Sequence, residues 1–404
     1  MLSEETIDKV IERLVNRIEE GNTYVLEQIG KSIKKIGTLS PSKAQELAQI
    51  LRYGGDYDKI VKKLAEITEL NVKDINEIFK EVAKNDYNFA KQFYDYRGIK
   101  YIPFEENIPL QREIQALANI TAGEYRNLTR TLAFTKQING RIVYTDLART
   151  YQDTLDKAVL SVSQGKTTFQ EQMYSTIKEL GSSGIKTVDY ASGRSMRLDS
   201  AVRMQMKGAL RNLHNETQKI FGEEFDSDGI EISVHTNPAP DHAEVQGRQF
   251  SNEEFDKFQN DIDAIDYKGK LFPAEFEGHD RRSISEYNCY HYTFAIVLGV
   301  NKPEYSDKEL KEIISNNNKG FELDGKHYTM YEGTQLQRQL ETEIRKQKDI
   351  QIMAKASGND QLVGEAQQKI TQLTQKYKEL SDVSGLPTKM ERTRVSGYKR
   401  VAIN

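Results

Sequence analysis

The sequence predicts a mainly α-helical fold with a small α+β module, and two patterns support that prediction. Apolar residues recur every three or four positions over most of residues 1–225 and again over 335–381, which is the period of an amphipathic α-helix. Ile230, Ile232 and Val234 instead alternate with polar residues, which is the period of a half-buried strand. We therefore expect a helical N-terminal half, a central antiparallel sheet region and a helical C-terminal extension.

Residues 1–95 are predicted to form a small docking domain of short amphipathic helices. An apolar stripe follows the helical period up to Gly21, where the first helix is expected to end. Pro41 follows a serine and suits the first position of another helix, because the missing N–H of proline costs nothing there. Asp56 and Asn71 are expected to cap two further short helices.

Residues 96–107 are predicted to be a linker, because glycine and proline interrupt the helical pattern there. A long-helix region over 108–225 follows. Its last helix carries a basic stripe of Arg203, Lys207 and Arg211 at four-residue spacing, which is typical of a solvated surface; a nucleic-acid groove is the alternative. The helices of this region are expected over roughly 109–135, 142–164, 168–180 and 198–221.

Residues 226–332 are predicted to form the α+β module. One strand is expected over 230–234 and another over 290–298, with a loop-rich stretch between them. Asp324 and Gly325 stand between short apolar runs. They predict a tight hairpin, because both residue types tolerate positive φ.

Residues 333–404 are predicted to be C-terminal helices followed by a basic tail. Apolar residues are sparse along the helices, which is typical of helices that pack on a partner or pair with each other, and the helical pattern breaks at 357–360. The tail is expected to be extended and either solvated or bound to a partner, and contact of its charges with packaged DNA or another subunit is the alternative. Its basic residues are Lys389, Arg392, Arg394, Lys399 and Arg400.

The composition narrows the class of protein. The 404 residues carry a net charge of −4, so no overall basic field indicates nucleic-acid binding. The single cysteine, Cys289, excludes an intrachain disulfide and fits a reducing cytoplasm. No apolar stretch approaches the roughly 18 residues of a membrane span, and no signal peptide is visible. We expect a protein that is made in the cytoplasm and has no membrane anchor.

His235, His242, Cys289 and His291 are the candidate metal ligands, because zinc prefers neutral imidazole and thiolate. Cys289 and His291 stand two apart on a predicted strand and therefore share one face. The other two histidines lie in loops, and no pair has the usual spacing of a zinc motif. We therefore predict no cofactor and expect these side chains to hydrogen-bond loop backbone, with a structural zinc ion as the alternative.

Catalysis is not predicted. Cys289 lies in an apolar, aromatic strand and not at a helix N-terminus, where the pKa of a thiol would fall and the thiolate could act as a nucleophile. The sequence also has no glycine-rich phosphate-binding motif. Two alternatives remain: a metal-dependent or nucleotide-directed enzyme that uses the His/Cys/Asp cluster, and a DNA-binding accessory protein.

Several short motifs follow one another over residues 188–332. Their landmark residues are Tyr190, Gly193, Arg194, Arg203, His235, His242, Gln246, Gly247, Asn288, Cys289, His291, Tyr331 and Glu332. In this order the motifs resemble the phage minor capsid protein 2 family, which is related to the Mu-F-type phage head morphogenesis proteins. Val245 stands where the family usually has tryptophan. Tyr290, and the turn that begins at Pro238, stand where it has arginine, which argues against a phosphate or nucleotide site.

The resemblance implies a minor capsid or head morphogenesis protein of a tailed bacteriophage. Such a protein would be present in few copies and would associate with the portal, the major capsid protein or the scaffold during assembly. Contact with packaged DNA and ejection with it are further expectations. The protein would pass from the host cytoplasm into the virion head, and its motif residues would be structural landmarks and not an active site.

Overall fold

The computed structural model describes residues 4–53, 56–138, 141–188, 195–224, 226–284, 289 and 291–402. Within these ranges the helices are α1 (Glu4–Gly37), α2 (Pro41–Tyr53), α3 (Asp56–Arg97), α4 (Ile108–Arg130), α5 (Leu147–Ser163), α6 (Lys166–Ser183), α7 (Leu198–Glu224), α8 (Asn252–Gln259), α9 (Asp307–Lys319), α10 (Met330–Ser357) and α11 (Asp360–Ser384). The strands are β1 (Leu132–Ile138), β2 (Arg141–Asp146), β3 (Lys186–Val188), β4 (Ser195–Arg197), β5 (Gly229–Ile232), β6 (Gln249–Ser251), β7 (Ala264–Ile265), β8 (Leu271–Phe272), β9 (Glu275–Phe276), β10 (His279–Asp280), β11 (Thr293–Ile296), β12 (Phe321–Leu323) and β13 (Lys326–Tyr328).

One apolar core unites the helices of the N-terminal half with the start of the C-terminal helices. Leu14 of α1, Phe79 of α3, Tyr125 of α4 and Tyr151 of α5 are buried in it, and Met353 of α10 belongs to the same cluster. The helices before the first linker therefore bury their apolar faces against helices that follow much later in the chain. The domain boundaries given above remain a prediction.

The first and third helices are longer than expected. α1 continues through Gly21, where a Cβ atom would lie 3.1 Å from the Leu64 side chain, so the glycine lets α1 and α3 approach closely. Asn71 lies inside α3, where its side chain donates to the Leu14 carbonyl at 3.1 Å and to the Tyr125 hydroxyl at 2.7 Å. The helix boundaries predicted at Gly21 and Asn71 are wrong, because tertiary contacts outweigh the local preference of these residues for helix ends.

The structure has a β-hairpin where the sequence pattern predicted helix. α4 ends at Arg130, and β1 pairs antiparallel with β2 so that Thr135 lies opposite Tyr144. Together with β3 and β4 they form a four-stranded sheet in the order β2-β1-β3-β4. The helical prediction is wrong here because residues 143–145 are all β-branched or aromatic, and such residues favour a strand.

The α+β module is built on a three-stranded antiparallel sheet in the order β11-β5-β6. Ile232, Val245 and Phe250 belong to its own small core. In the β12–β13 hairpin the φ angles of Asp324 and Gly325 are 52° and 72°, which confirms the predicted tight turn. The second predicted strand is shorter than expected, since β11 has only 4 residues.

α10 and α11 pack side by side as an antiparallel helical hairpin. Gly358 ends α10 with a φ of 77°, close to the predicted break. Near this turn Gln351 donates to Gln367 at 3.0 Å, and farther along Tyr377 donates to Glu341 at 2.9 Å. The two helices therefore satisfy each other's buried polar groups.

The tail after α11 folds back onto α1. The Arg392 guanidinium lies 3.0 Å from the Asp8 carboxylate, and the Thr23 hydroxyl donates to the Ser396 carbonyl at 2.8 Å. The expectation of an extended tail is wrong over Met390–Thr393, which form a 3-10 turn, and the ion pair and the hydrogen bond hold the tail on the first helix. Of the described helices, none is both long and apolar enough to cross a bilayer. The helical ends and small central sheets confirm the predicted fold class.

Candidate functional site

A cavity of about 410 Å³ lies where the α+β module meets α10 and the tail. The module contributes His235, Asn237, His242, Arg282, Cys289 and His291 to its wall, α10 contributes Tyr331, Gln335, Arg338 and Glu341, and the tail contributes Lys389 and Arg392. The fold therefore gathers side chains from distant parts of the sequence around one polar space. We name it the central cavity.

His242 is held in place by the loop that follows the first strand of the module. It is the last residue of a 3-10 turn over Pro240–His242, and its side chain is almost completely buried. The preceding Asp241 accepts two hydrogen bonds of 2.6 Å from the Arg282 guanidinium. Burial raises the pKa of Asp241, but the Arg282 hydrogen bonds and the charges of His242 and Arg282 outweigh it and leave that pKa below its ordinary value. This ion pair ties the turn to the segment that leads to Cys289.

Cys289 and His291 directly precede β11, and the fold brings both to His242. The Cys289 Sγ atom lies 3.6 Å from Nδ1 of His242 and 3.5 Å from Nδ1 of His291. The three side chains are buried, and one ligand atom from each lies within 4.8 Å of the others. Three of the four predicted metal ligands therefore form one cluster, although their spacing in sequence did not indicate it.

The fourth predicted ligand, His235, stands beside this cluster. Its ring centroid lies 4.5 Å from that of His291, and its backbone N–H donates to Gln246 at 2.8 Å. Among the residues that the structure describes, it does not belong to the group of ligand atoms formed by the other three. Three of the four predicted ligands therefore form one group, His235 lies beside it, and metal binding stays a prediction.

Of the motif landmarks Gln246 and Gly247, the first contacts two histidines of the site and the second lies next to it in the chain. Gln246 is almost fully buried, and its side-chain oxygen accepts from His235 and lies 3.3 Å from Nε2 of His291. Gly247 has a φ of 69°, and a Cβ atom there would lie only 2.6 Å from Leu310. Glycine is required at this position because a side chain would be strained and would clash.

The two clustered histidines differ in electrostatics. Burial, followed by the charges of His235 and His242, holds the pKa of His291 well below its ordinary value. Burial also lowers the pKa of His242, but the hydrogen bond and charge of Cys289, the Arg282 carbonyl and Asp241 outweigh it and raise that pKa. His291 is therefore a neutral imidazole at physiological pH, which is the form that binds metals.

Two further landmarks begin α10 at the edge of the cavity. Glu332 forms a capping box with Thr329, in which each side chain binds the other residue's backbone N–H. Tyr331 lines the cavity, and its backbone N–H donates to Asn317 at 2.9 Å. The landmarks Tyr190, Gly193, Arg194 and Asn288 lie outside the described residues.

Two residues of the basic stripe of α7 pair with acids of α1, and the third is buried. Arg203 forms an ion pair with Glu12, Lys207 lies 2.5 Å from Asp8, and Arg211 is only 4% exposed. The interpretation as a solvated surface is wrong, and so is the alternative of a nucleic-acid groove. The four-residue spacing places the three side chains on one helix face, but it carries no information on whether water or an acidic helix covers that face.

Sequence analysis missed a buried network of charged residues at which α1, α7 and α10 meet. Arg197 lies 2.9 Å from Asp349 and 3.2 Å from Asp199, and Glu19 lies 3.8 Å away. Arg345 contacts Asp199 from the other side at 3.0 Å. Burial, followed by the charges of the two aspartates, raises the pKa of Glu19 well above its ordinary value. With Glu19 neutral, two arginines balance two aspartates.

A signal for this network was present in the sequence. Glu19 stands four residues after Val15 on the apolar stripe of α1, at a position that faces the core. A charged residue at such a position needs a buried partner of opposite charge. The partners could not be identified from the sequence, because Arg197 and Asp349 are 152 residues apart.

The basic residues of the tail divide into two groups. Arg392 is largely buried against Asp8, and Lys389 lines the central cavity. Arg394, Lys399 and Arg400 are exposed. The exposed group stays a candidate for DNA contact, whereas the burial of Arg392 leaves it little surface for such a contact.

The comparison with protein families agrees with the resemblance of the motifs. A search of curated proteins finds no significant match, and neither does a search of solved structures. The family model described as phage minor capsid protein 2 matches residues 2–382, which is nearly the whole chain and includes the residues that the α+β module and α10 contribute to the central cavity. The chain therefore belongs to the phage minor capsid protein 2 family.

Proposed function

We propose that this minor capsid protein is built into the phage head in few copies, where it contacts the portal, the major capsid protein or the scaffold. The observation that carries the proposal is the family match over residues 2–382. The family is described as a capsid component, which favours a structural role over catalysis. In this proposal the protein assembles in the host cytoplasm and stays in the head of the mature virion.

An exposed apolar patch on the α+β module supports a role in assembly. β7 and β8 pair so that Ile265 lies opposite Leu271, and these side chains are 46% and 54% exposed. Ile262 and Tyr267, which flank β7, are more than half exposed as well. Val300 is 63% exposed. The preceding residue, Gly299, lies close to the Tyr267 hydroxyl. We name the five exposed residues the β7–β8 patch.

The opposite face of the same two strands is buried in the core of the module. Ala264 and Phe272 are buried in the core of the module, so the two strands are held firmly from the inside. Their outer face nevertheless carries large apolar side chains. Such a patch on a polar protein is typical of a surface that a partner covers. We assign it to contact with another head protein.

Quantitative mass spectrometry of purified virions tests the proposed function. Peptides of this chain should be present at a small and constant number of copies per particle, and should remain after nuclease treatment and density-gradient purification. Emptied heads and separated tails give the location. Virions that contain no copies of the chain, or only copies that wash away with salt, would contradict the proposal.

We further propose that the exposed basic residues of the tail contact packaged DNA. Arg394, Lys399 and Arg400 lie together near the end of the chain and are exposed. Phosphate contacts release counterions, so duplex binding should weaken steeply with salt. Replacing all three residues by serine should reduce the slope of log affinity against log salt by about 3 if each contacts one phosphate. An unchanged slope would contradict this contact.

A further inference from the structure

We propose that Cys289, His242 and His291 bind one zinc ion on the wall of the central cavity. Nothing in the proposed structural role requires a metal, so this inference goes beyond it. It rests on three features of the cluster: the distances between its ligand atoms, the hydrogen bonds that orient its imidazoles, and the number of protons available to it.

The distances match those around a tetrahedral zinc ion. Zinc binds sulfur at about 2.3 Å and imidazole nitrogen at about 2.0 Å, and at a tetrahedral angle the two atoms lie about 3.5 Å apart. The Cys289 Sγ atom lies 3.5 Å from Nδ1 of His291 and 3.6 Å from Nδ1 of His242. All three ligand atoms lie within 4.8 Å of one another.

Both imidazoles are already oriented as metal ligands are. Nε2 of His242 lies 2.8 Å from the Arg282 carbonyl oxygen, and Nε2 of His291 lies 3.3 Å from the side-chain oxygen of Gln246. An N–H at Nε2 that donates to each oxygen leaves the lone pair of a neutral ring on Nδ1. Metal-binding histidines typically donate their second N–H in this way to a carbonyl or carboxylate, which fixes the ring.

A proton count explains why a cation would be favoured. In these tautomers both Nδ1 lone pairs point towards Cys289, and a thiol has only one proton to donate. If both rings are neutral and the sulfur is a thiol, one buried Nδ1 faces the sulfur without a donor, which costs free energy. A zinc ion with a thiolate satisfies the sulfur and both nitrogens at once. The competing arrangement is a metal-free pair of Cys289 thiolate and His242 imidazolium.

The fourth coordination position would face the cavity. Its polar wall beside the cluster includes Arg282 and Tyr331, and a volume of about 410 Å³ leaves ample room for a water ligand. The ion would hold the turn at His242 to the segment before β11, in which Cys289 lies 47 residues after His242. We infer that zinc closes this loop and stabilises the module.

Metal analysis of the full-length protein tests the site. Protein purified without chelators should contain about one zinc per chain by plasma mass spectrometry. Cys289→Ser should lose this zinc, and His279→Ala should keep it, because His279 is exposed on β10. A chelator should lower the Tm of the wild type and of His279→Ala, and should leave that of Cys289→Ser unchanged.

Cobalt(II) substitution keeps the test independent of how the variants fold. Wild-type protein loaded with cobalt should show a thiolate-to-cobalt charge-transfer band in the near ultraviolet, because Cys289 is the single cysteine. Wild-type protein that holds no zinc and gains no Tm on addition of zinc chloride would overturn the proposal in favour of the metal-free pair. A cobalt complex without the thiolate band would overturn it too.

Discussion

The Nη2 atom of Arg197 lies 2.9 Å from a carboxylate oxygen of Asp349, and both side chains are almost completely shielded from water. This pair connects the end of β4 to α10, while Asn22 of α1 donates to the other Asp349 oxygen at 3.1 Å. Two helices and a strand from distant parts of the chain therefore meet at one carboxylate. The stability of the helical core depends on keeping these charges paired.

Replacing the central arginine should be strongly destabilising. Arg197→Met leaves Asp349 without its arginine partner, and loss of one partner from a buried ion pair typically costs about 3–5 kcal/mol. Urea unfolding followed by circular dichroism measures the change. Arg394→Met is the control, because Arg394 is exposed and such a change should stay within about 0.5 kcal/mol. Equal effects of the two substitutions would contradict the role assigned to the network.

Glu19 should make the stability depend on pH. Burial and the two aspartates raise its pKa in the folded state above the ordinary value of 4.5, so the folded protein keeps a proton that the unfolded chain releases. Its contribution to stability is complete below pH 4.5 and is lost as the pH rises through the folded-state pKa. Glu19→Gln keeps a neutral side chain at every pH. Its unfolding free energy should therefore fall less than that of the wild type as the pH rises, and parallel pH profiles would exclude this effect.

The crossing of α6 and α10 should not tolerate a side chain at Gly181. A Cβ atom there would lie 2.7 Å from the Cα atom of Ile350, so Gly181→Ala must push the two helices apart. Such overpacking typically costs about 1–3 kcal/mol. Gly123→Ala in α4 is the matched control, because a Cβ atom there meets nothing within 4 Å. The control should gain up to about 1 kcal/mol, and thermal unfolding of both variants would reveal any departure from these opposite signs.

Charges placed in the β7–β8 patch should reduce incorporation into virions. Leu271→Asp leaves the fold intact, since the side chain is 54% exposed, but it places a charge where a partner would bury apolar surface. Val383→Asp on α11 is the control at a site that is 48% exposed. Complementation of a phage that lacks the chain, followed by mass spectrometry of its particles, measures incorporation. Normal incorporation of Leu271→Asp would exclude the patch as a contact surface.

The sequence predicted the fold class because long helices and short alternating strands have distinct periods. The β12–β13 turn was also predictable, since Asp324 and Gly325 adopt positive φ for reasons local to two residues. Gly21 and Asn71 misled the prediction because their local preference is for helix ends. In the structure, both residues lie inside helices, because Gly21 packs closely against Leu64 and Asn71 donates to Tyr125.

The site was predictable by residue type and not by geometry. His242, Cys289 and His291 are chemically distinctive, but their spacing of 47 and 2 residues matches no zinc motif. Only the pairing of β11 with β5 and the turn anchored by Asp241 bring them together. The prediction of a solvated surface on α7 was wrong for the opposite reason. The regular spacing of the basic residues was visible in the sequence, but the acids of α1 that cover them were not.

The contacts between the tail and α1 determine the order in which the fold can be completed during translation. The first helix leaves the ribosome early, but Asp8 can contact Arg392 only after 384 more residues have been added. The hydrogen bond from Thr23 to Ser396 forms equally late. α1 therefore stays incompletely covered for almost the whole of synthesis. A chain that stops before the tail would lack both contacts and would leave this part of α1 exposed.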